Sequence, residues 1–337
     1  VPRQRRAETS SKTRTRWATI GALVALLVLD VVLVALALQS TSSTAGATSG
    51  PAPVPTSTDS ARPTPTPQPS GSPASPSGAP SAPDGELTAT VPSRILAALD
   101  ESIAWRATTG ACPDALAAPE LTVDRGNGWK ATDVSGTTGV RSLQRIFVSD
   151  GETASFIGAG AGDCSPQFVR TFVAGDDFDV FPDQLAGSWY LAPVGGAVVH
   201  TPTGEAAAPC PAAVSIAPLD ENRAAVLCDD SAIHLTVDAG ATWDELSETP
   251  GAIALTATRD GLVVVVAGDD DCAGAVILGV DIGRDVVDTR TDVACVESPA
   301  SPRVLAATTA IDWTDAAMWL WIDDRVLISV DGGQSWT

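Results

Sequence analysis

Thr122-Val-Asp124-Arg-Gly126-Asn-Gly-Trp129 recurs as Thr236-Val-Asp238-Ala-Gly240-Ala-Thr-Trp243 and again as Ser329-Val-Asp331-Gly-Gly333-Gln-Ser-Trp336. Each copy places a hydroxyl residue first, Asp two later, Gly two after that and Trp three further on. A lone Asp-x-Gly is noise, whereas three full copies ending in Trp are a strong signal. The pattern reads as a hairpin device. A strand that reverses within a few residues needs a position of positive φ, which Gly supplies without steric cost. The Asp carboxylate accepts hydrogen bonds from N–H groups inside the turn. The Trp then opens the returning strand with a large apolar surface to bury. Recurrence at long intervals marks stacked supersecondary units.

The three copies resemble the Asp box of the BNR-repeat proteins. That resemblance implies an all-β chain: a β-propeller of about five to six four-stranded blades, with the box between the third and fourth strands of a blade. Two partial copies fill the gaps. Thr171-Phe-Val173-Ala-Gly175-Asp-Asp-Phe178 lacks the Asp, and Gly279-Val-Asp281-Ile-Gly283-Arg-Asp-Val286 lacks the Trp. The third positions, 124, 173, 238, 281 and 331, lie 49, 65, 43 and 50 residues apart, which suits blades of roughly 40 to 50 residues. The longest interval holds Trp189-Tyr-Leu-Ala and Ala197-Val-Val-His200 and reads as an insertion or a partial sixth blade. Arg94-Ile-Leu-Ala-Ala98 echoes Arg303-Val-Leu-Ala-Ala307, and both read as innermost strands. The chain ends one residue after Trp336, so Glu86-Leu-Thr-Ala-Thr-Val91 is expected to supply the outer strand of the last blade and close the ring.

Four segments are expected. Residues 1–16 form a basic tail holding six of the 20 Lys and Arg. Residues 17–38 are apolar apart from Thr19 and Asp30, long enough to cross a bilayer as one helix. By the positive-inside rule the tail stays cytoplasmic and the rest is exported, giving a single-pass protein of the cell membrane. Ala35-Leu-Ala37 also resembles a signal-peptide cleavage site, so an uncleaved anchor and a cleaved leader both stand. Residues 39–87 are rich in Ser, Thr, Pro, Ala and Gly and cannot bury enough surface to offset their conformational entropy, which predicts a disordered linker. Residues 88–337 form the propeller.

Beyond residue 38 the chain carries 14 basic against 39 acidic groups, a formal charge of −25. Such a surface excludes nucleic acid as a partner. In the propeller reading, Cys112, Cys164, Cys228 and Cys272 fall in loops between the second and third strands of their blades, while Cys210 and Cys295 fall just ahead of a first strand. All six then share one face, opposite the boxes, as an oxidising compartment allows. Six cysteines permit 15 pairings; the first choice among them is Cys112–Cys164, Cys210–Cys228 and Cys272–Cys295, each joining neighbouring loops. No CxxC spacing occurs, and His200 and His234 have no ligand-like spacing. No metal or cofactor is expected.

Asp-box propellers include sialidases, which resemblance alone would equip with an arginine triad, an Arg-Ile-Pro segment and a Tyr–Glu pair near the end. Here Ser93-Arg-Ile-Leu96 lacks the Pro, and the sole tyrosine, Tyr190, lies mid-chain. The box residues Asp124, Asp238 and Asp331 therefore read as turn staples, and no catalytic residue is assigned. The acidic loops Asp229-Asp230, Asp269-Asp270-Asp271 and Asp323-Asp324 map to the cysteine face and mark a candidate binding face. Two functions of different class follow. One is a membrane-tethered, non-catalytic binding or assembly module for a protein or a cell-envelope glycan, resembling the photosystem II assembly factor type of propeller in fold and export only. The other is a glycoside hydrolase with a carboxylate pair that no motif reveals. A clustered arginine set or buried carboxyl pair on the cysteine face marks the enzyme; a loop-covered rim marks the binder.

Overall fold

A computed structural model describes residues 88–193, 196–246, 249–282 and 288–337. The expected membrane helix at 17–38 and linker at 39–87 lie outside the described residues. Six antiparallel sheets follow one another along the chain. The first holds β1 (Arg94–Ala98), β2 (Ala104–Thr108), β3 (Glu120–Thr122) and β4 (Lys130–Ala131). The second holds β5 (Val140–Val148), β6 (Ala154–Gly160), β7 (Pro166–Thr171) and β8 (Asp179–Val180). The third has three strands, β9 (Tyr190–Leu191), β10 (Val198–Thr201) and β11 (Gly204–Ala207). The fourth holds β12 (Ala213–Pro218), β13 (Ala224–Cys228), β14 (Ile233–Thr236) and β15 (Asp244–Glu245). The fifth holds β16 (Ala252–Ala257), β17 (Gly261–Ala267), β18 (Gly274–Ile282) and β19 (Asp288–Glu297). The sixth has β20 (Ala310–Trp313), β21 (Met318–Ile322) and β22 (Arg325–Ser329). Short helices α1 (Val134–Thr138), α2 (Pro182–Leu185) and α3 (Pro302–Thr308) sit between sheets.

The innermost strands β1, β5, β9, β12, β16 and β20 contact one another in sequence, and β20 returns to β1. The fold is a six-bladed propeller, with blades of three or four strands where four throughout were expected. Each blade is covered on both sides by its neighbours, so its second strand must be apolar along its whole length. Accordingly β6, β13, β17 (GLVVVVA) and β21 (MWLWI) are buried at every position. Runs of β-branched and aromatic side chains suit such doubly covered strands.

The repeated turns join third to fourth strands in the first and fourth blades. In the first, the Thr122 hydroxyl donates to Asp124 Oδ1 at 2.8 Å and accepts from Gly126 N at 3.0 Å, while Gly128 N donates to Asp124 Oδ1 at 2.9 Å. The same three bonds recur around Thr236 and Asp238 (2.9, 2.9 and 2.8 Å) and around Ser329 and Asp331 (2.8, 2.8 and 2.9 Å). Two consecutive residues, not one, adopt positive φ: Arg125 and Gly126, Ala239 and Gly240, Gly332 and Gly333. The partial copy at Thr171 keeps the bond from Gly175 N (2.9 Å) and the same backbone, Ala174 and Gly175.

Gly is required at the fifth position for a second reason. A Cβ at Gly240 would meet Ala206 of the third blade at 3.0 Å and Thr201 at 3.2 Å, and one at Gly175 would overlap Thr132 and Trp105 of the first. Each turn therefore seats its blade against the preceding one. The turn tryptophans do likewise: Trp243 Nε1 donates to Ala207 O at 3.2 Å, and Trp336 packs into the cluster shared by the fifth and sixth blades.

Four expectations are decided by the structure, the last three by correction. First, of the two readings of the long interval, an insertion or a partial sixth blade, the second holds: the blade lacks the strand that opens the others. Trp189, just ahead of β9, donates to Asp220 O in the β12–β13 turn at 2.9 Å, as Trp319 of the second strand β21 donates to Asp100 O in the β1–β2 turn at 2.8 Å. At the other end of β9, Gly196 O accepts from Ala213 N, the first residue of β12, at 3.0 Å. Strand β9 thus runs in the direction of a second strand while occupying the innermost place. Thr201, which ends β10, is then the counterpart of Thr122, and like it is buried and accepts from the N–H two residues on (Thr203, 3.1 Å).

Second, Arg303 to Ala307 lies in α3, where Pro302 takes the first helical turn; the inner strand is β20. Third, Cys295 lies inside β19, and β18 continues to Ile282, past Gly279 where the partial repeat would turn. Fourth, residues 88–91 form no strand. Ala89 is buried in a cluster with residues of the fourth and fifth blades, and Thr337 instead pairs with Ile328 of β22 through two 3.0 Å bonds. The seam between first and sixth blades is held by Ser93 N to Ala307 O (2.8 Å), Ala98 N to Asp312 Oδ2 (2.8 Å) and the Trp319 bond. Arg106 lies 4.0 Å from the Trp129 ring and 4.9 Å from the Trp321 ring, stacking of the kind worth about 0.5–1 kcal/mol at partly exposed sites.

The turns predict an acid-sensitive fold. Hydrogen bonds from Gly128 N, Thr242 Oγ1 and Ser335 Oγ respectively hold Asp124, Asp238 and Asp331 below the usual carboxylate range, Asp331 at about 2. A lowered folded pKa contributes stability above the unfolded value and loses it as pH falls through the folded one. Thermal melts should therefore drop between about pH 4 and pH 2, and Asp331→Ala should flatten that drop. Thr236→Val, which leaves Gly240 N–H buried without an acceptor, should cost about 1–3 kcal/mol. An unchanged melting temperature for Thr236→Val would show that the hydroxyl does not hold the turn.

Candidate functional site: the disulfide rim and the central cavity

The face opposite the repeated turns carries three disulfides. Cys112–Cys164 ties the β2–β3 loop to the β6–β7 loop of the next blade. Cys210–Cys228 ties the segment entering β12 to the end of β13, and Cys272–Cys295 ties the β17–β18 loop to β19. The acidic loops lie on the same rim. Asp229 and Asp230 follow Cys228, Asp269 to Asp271 precede Cys272, and Asp323 and Asp324 form the β21–β22 turn. The structure gives these acids different tasks. Asp230 and Asp269 accept from N–H groups of their own loops, at 3.0 and 2.8 Å. Asp323 is committed to the fold: it accepts from Ser298 Oγ at 2.7 Å and pairs with Arg325 at 3.2 Å, and its carbonyl accepts from Arg94. Asp229, Asp270, Asp271 and Asp324 are exposed. Among the described residues no group of three or more His, Cys, Asp or Glu side chains is placed to hold a metal ion.

The rim surrounds a central cavity of about 730 Å³. It extends from Gly110 to Cys112, Pro193 and Gly196 at the cysteine face to Ala97, Pro218 and Ala257, where the inner strands end. Val91 and Pro92 lie at its mouth, on the path from Ala89 to Ser93. Its wall is largely aliphatic, because inner strands pack edge to edge around the axis and small or branched side chains fill that space.

Three charged groups break the apolar wall: Arg94 at the rim end of β1, and Arg145 and Asp312, neither of which was singled out in the sequence. Arg145 of β5 donates through Nη1 to Trp189 O at 2.7 Å and lies 4.4 Å from the Phe147 ring. Burial lowers its pKa to about 10, partly opposed by Asp312, so it remains charged at neutral pH. Asp312 of β20 accepts from Ala98 N at 2.8 Å and Thr256 Oγ1 at 3.0 Å. Burial raises its pKa, against those hydrogen bonds and the field of Arg145. Both residues keep some solvent exposure, which is contact with the cavity. The signal that could have found them is a charged residue inside an inner strand: Arg145 in Val140-Arg-Ser-Leu-Gln-Arg-Ile-Phe-Val148 and Asp312 in Ala310-Ile-Asp-Trp313.

No family model matches this chain, and no curated protein does. Solved structures do. YCF48 bound to D1 peptide is 17% identical over 76% of this chain and 85% of that one, with a TM-score of 0.28. The GH74 xyloglucanase from Xanthomonas campestris is 16% identical over 72% and 37%, at 0.28. PorZ, a surface component of the type-IX secretion system of Porphyromonas gingivalis, is 13% identical over 74% and 33%, at 0.37. The neighbours thus include both binding proteins and GH74 enzymes, and at these scores no activity transfers to this chain.

Asp312 gives a signed prediction. A carboxyl whose folded pKa is raised contributes less to stability as pH rises from its unfolded value through its folded one. Asp312→Asn keeps an acceptor for Ala98 N–H and removes the charge. Its melting temperature should match or exceed that of the wild type at neutral pH, and the difference should shrink at about pH 4. A variant much less stable at neutral pH would show that the ionised carboxylate is needed there.

Proposed function

We propose that the chain is an exported, membrane-tethered propeller of the Asp-box type that acts as a non-catalytic binding or assembly module for a protein or a cell-envelope glycan. Its partner docks on the cysteine face. The observation that carries this reading is the clustering of all three disulfides with the exposed acidic loops around one rim. Binding residues concentrate on loops held by a rigid scaffold, and cross-linked loops lose less entropy on docking. Glycoside hydrolysis takes two carboxyl groups about 5–9.5 Å apart, and among the described residues the cavity wall carries one, Asp312. That favours the binder over the hydrolase.

The test uses the full chain to capture a partner from envelope extracts and then measures affinity with the purified partner. Paired Asp270→Lys and Asp271→Lys substitutions should weaken binding about tenfold or more, and reduction below the melting temperature should weaken it while the ring stays folded. Val123→Lys with Val330→Lys, on the turn face, should leave it within about twofold. Loss confined to the turn-face variant would reverse the assignment of faces, and release of sugars from a captured glycan would replace the binder with the hydrolase.

A further inference from the structure

The cavity contains a guanidinium with donors to spare. Arg145 spends Nη1 on Trp189 O; among the described residues Nε and Nη2 have no protein acceptor, and no carboxylate forms an ion pair with it. The other arginine on the wall, Arg94, stands at the rim end of β1, where its Nη1 donates to Thr308 O (2.9 Å) and Asp323 O and its guanidinium lies 4.6 Å from the Trp321 ring. Holding one cation so far inside an apolar channel is costly unless something pairs with it. Asp312 does so only through space, since Ala98 N–H and Thr256 Oγ1 fix its oxygens elsewhere.

We propose that the central cavity is a binding site for a single carboxylate group on a slender aliphatic ligand, which enters from the cysteine rim and is held by Arg145. The Nε and Nη2 hydrogens form the planar fork that matches one carboxylate with two parallel bonds. A phosphate dianion fits less well: beside Arg145 and the nearby Asp312, with Arg94 held at the rim end of β1, it would leave excess negative charge in a poorly solvated site. The body of the ligand lies against Ile95, Leu191, Ile216, Leu255 and Ile311, where hydrocarbon is driven out of water. The volume falls within the range of about 300–1,000 Å³ usual for small-molecule sites. The site stands apart from rim docking, since a carboxylate in the cavity needs no partner on the rim.

Octanoate is the probe, titrated calorimetrically into the full chain near neutral pH beside octanamide and octyl phosphate. Octanoate should bind saturably at one site, with octanamide and the Arg145→Gln protein each weaker by about tenfold or more. Arg145→Lys should fall between, keeping the charge without the fork. Octanoate should also shield Arg145 of the wild-type protein from phenylglyoxal, read by peptide mass spectrometry, and this decides the matter even if Arg145→Gln does not fold. Absence of saturable binding, equal affinity for octanamide, or undiminished modification of Arg145 would each overturn the proposal. Tighter binding of octyl phosphate would overturn the carboxylate assignment.

Discussion

The close approach of each repeated turn to the preceding blade is the constraint on which the ring depends. Six sheets around an axis must each cover one neighbour and be covered by the other, and the joint has to repeat from blade to blade. The glycine at the fifth position of the turn makes that possible. At Gly175 and Gly240 the backbone has positive φ and leaves no room for a Cβ against the preceding blade. At the seam the approach is looser: a Cβ at Gly126 would meet Trp319 of the sixth blade at an ordinary 3.7 Å, and the joint there is the bond from Trp319 to Asp100 of the first blade. The ring closes through that bond and the contacts of β1, without a shared blade among the described residues.

The carboxylate of the turn serves that joint indirectly. Asp124, Asp238 and Asp331 bind hydroxyl and N–H groups of their own turns, so they fix the backbone that presents the glycine. Thr171 shows which part is indispensable. Val173 replaces the aspartate there, yet the hydroxyl bond to Gly175 N and both positive φ values survive. The hydroxyl and the glycine make the turn, and the aspartate tightens it.

Much of this was legible in the sequence, because turns, disulfide loops and doubly buried strands are specified by local chemistry. The placement of the acids at 229–230, 269–271 and 323–324 between second and third strands followed from counting back from each turn. What escaped is set by context. Arg94 to Ala98 and Arg303 to Ala307 are nearly alike, but Pro302 starts a helix in one and not the other. The third blade was legible only as one of two alternatives, because Thr201-Pro-Thr-Gly204 keeps only the hydroxyl of the repeat. Arg145 and Asp312 were passed over because a charged residue within a strand marks a cavity only once that strand is known to be innermost, which the fold and not the local sequence decides.

A ring of tightly seated blades is a stiff frame, and the three disulfides stiffen one face further. A site on such a frame is shaped before its ligand arrives, which suits binding at the rim and within the cavity. The claim beneath this account is that the turn glycines at 175, 240 and 333, which leave a Cβ at most 3.0 Å from the preceding blade, hold two blades together. Hydrogen exchange on Gly175→Ala tests it most directly. The account predicts lost protection in β2, β3 and β4 of the first blade as well as in the turn of the second. Loss confined to residues 171–178, with the first blade as protected as in the wild type, would contradict it.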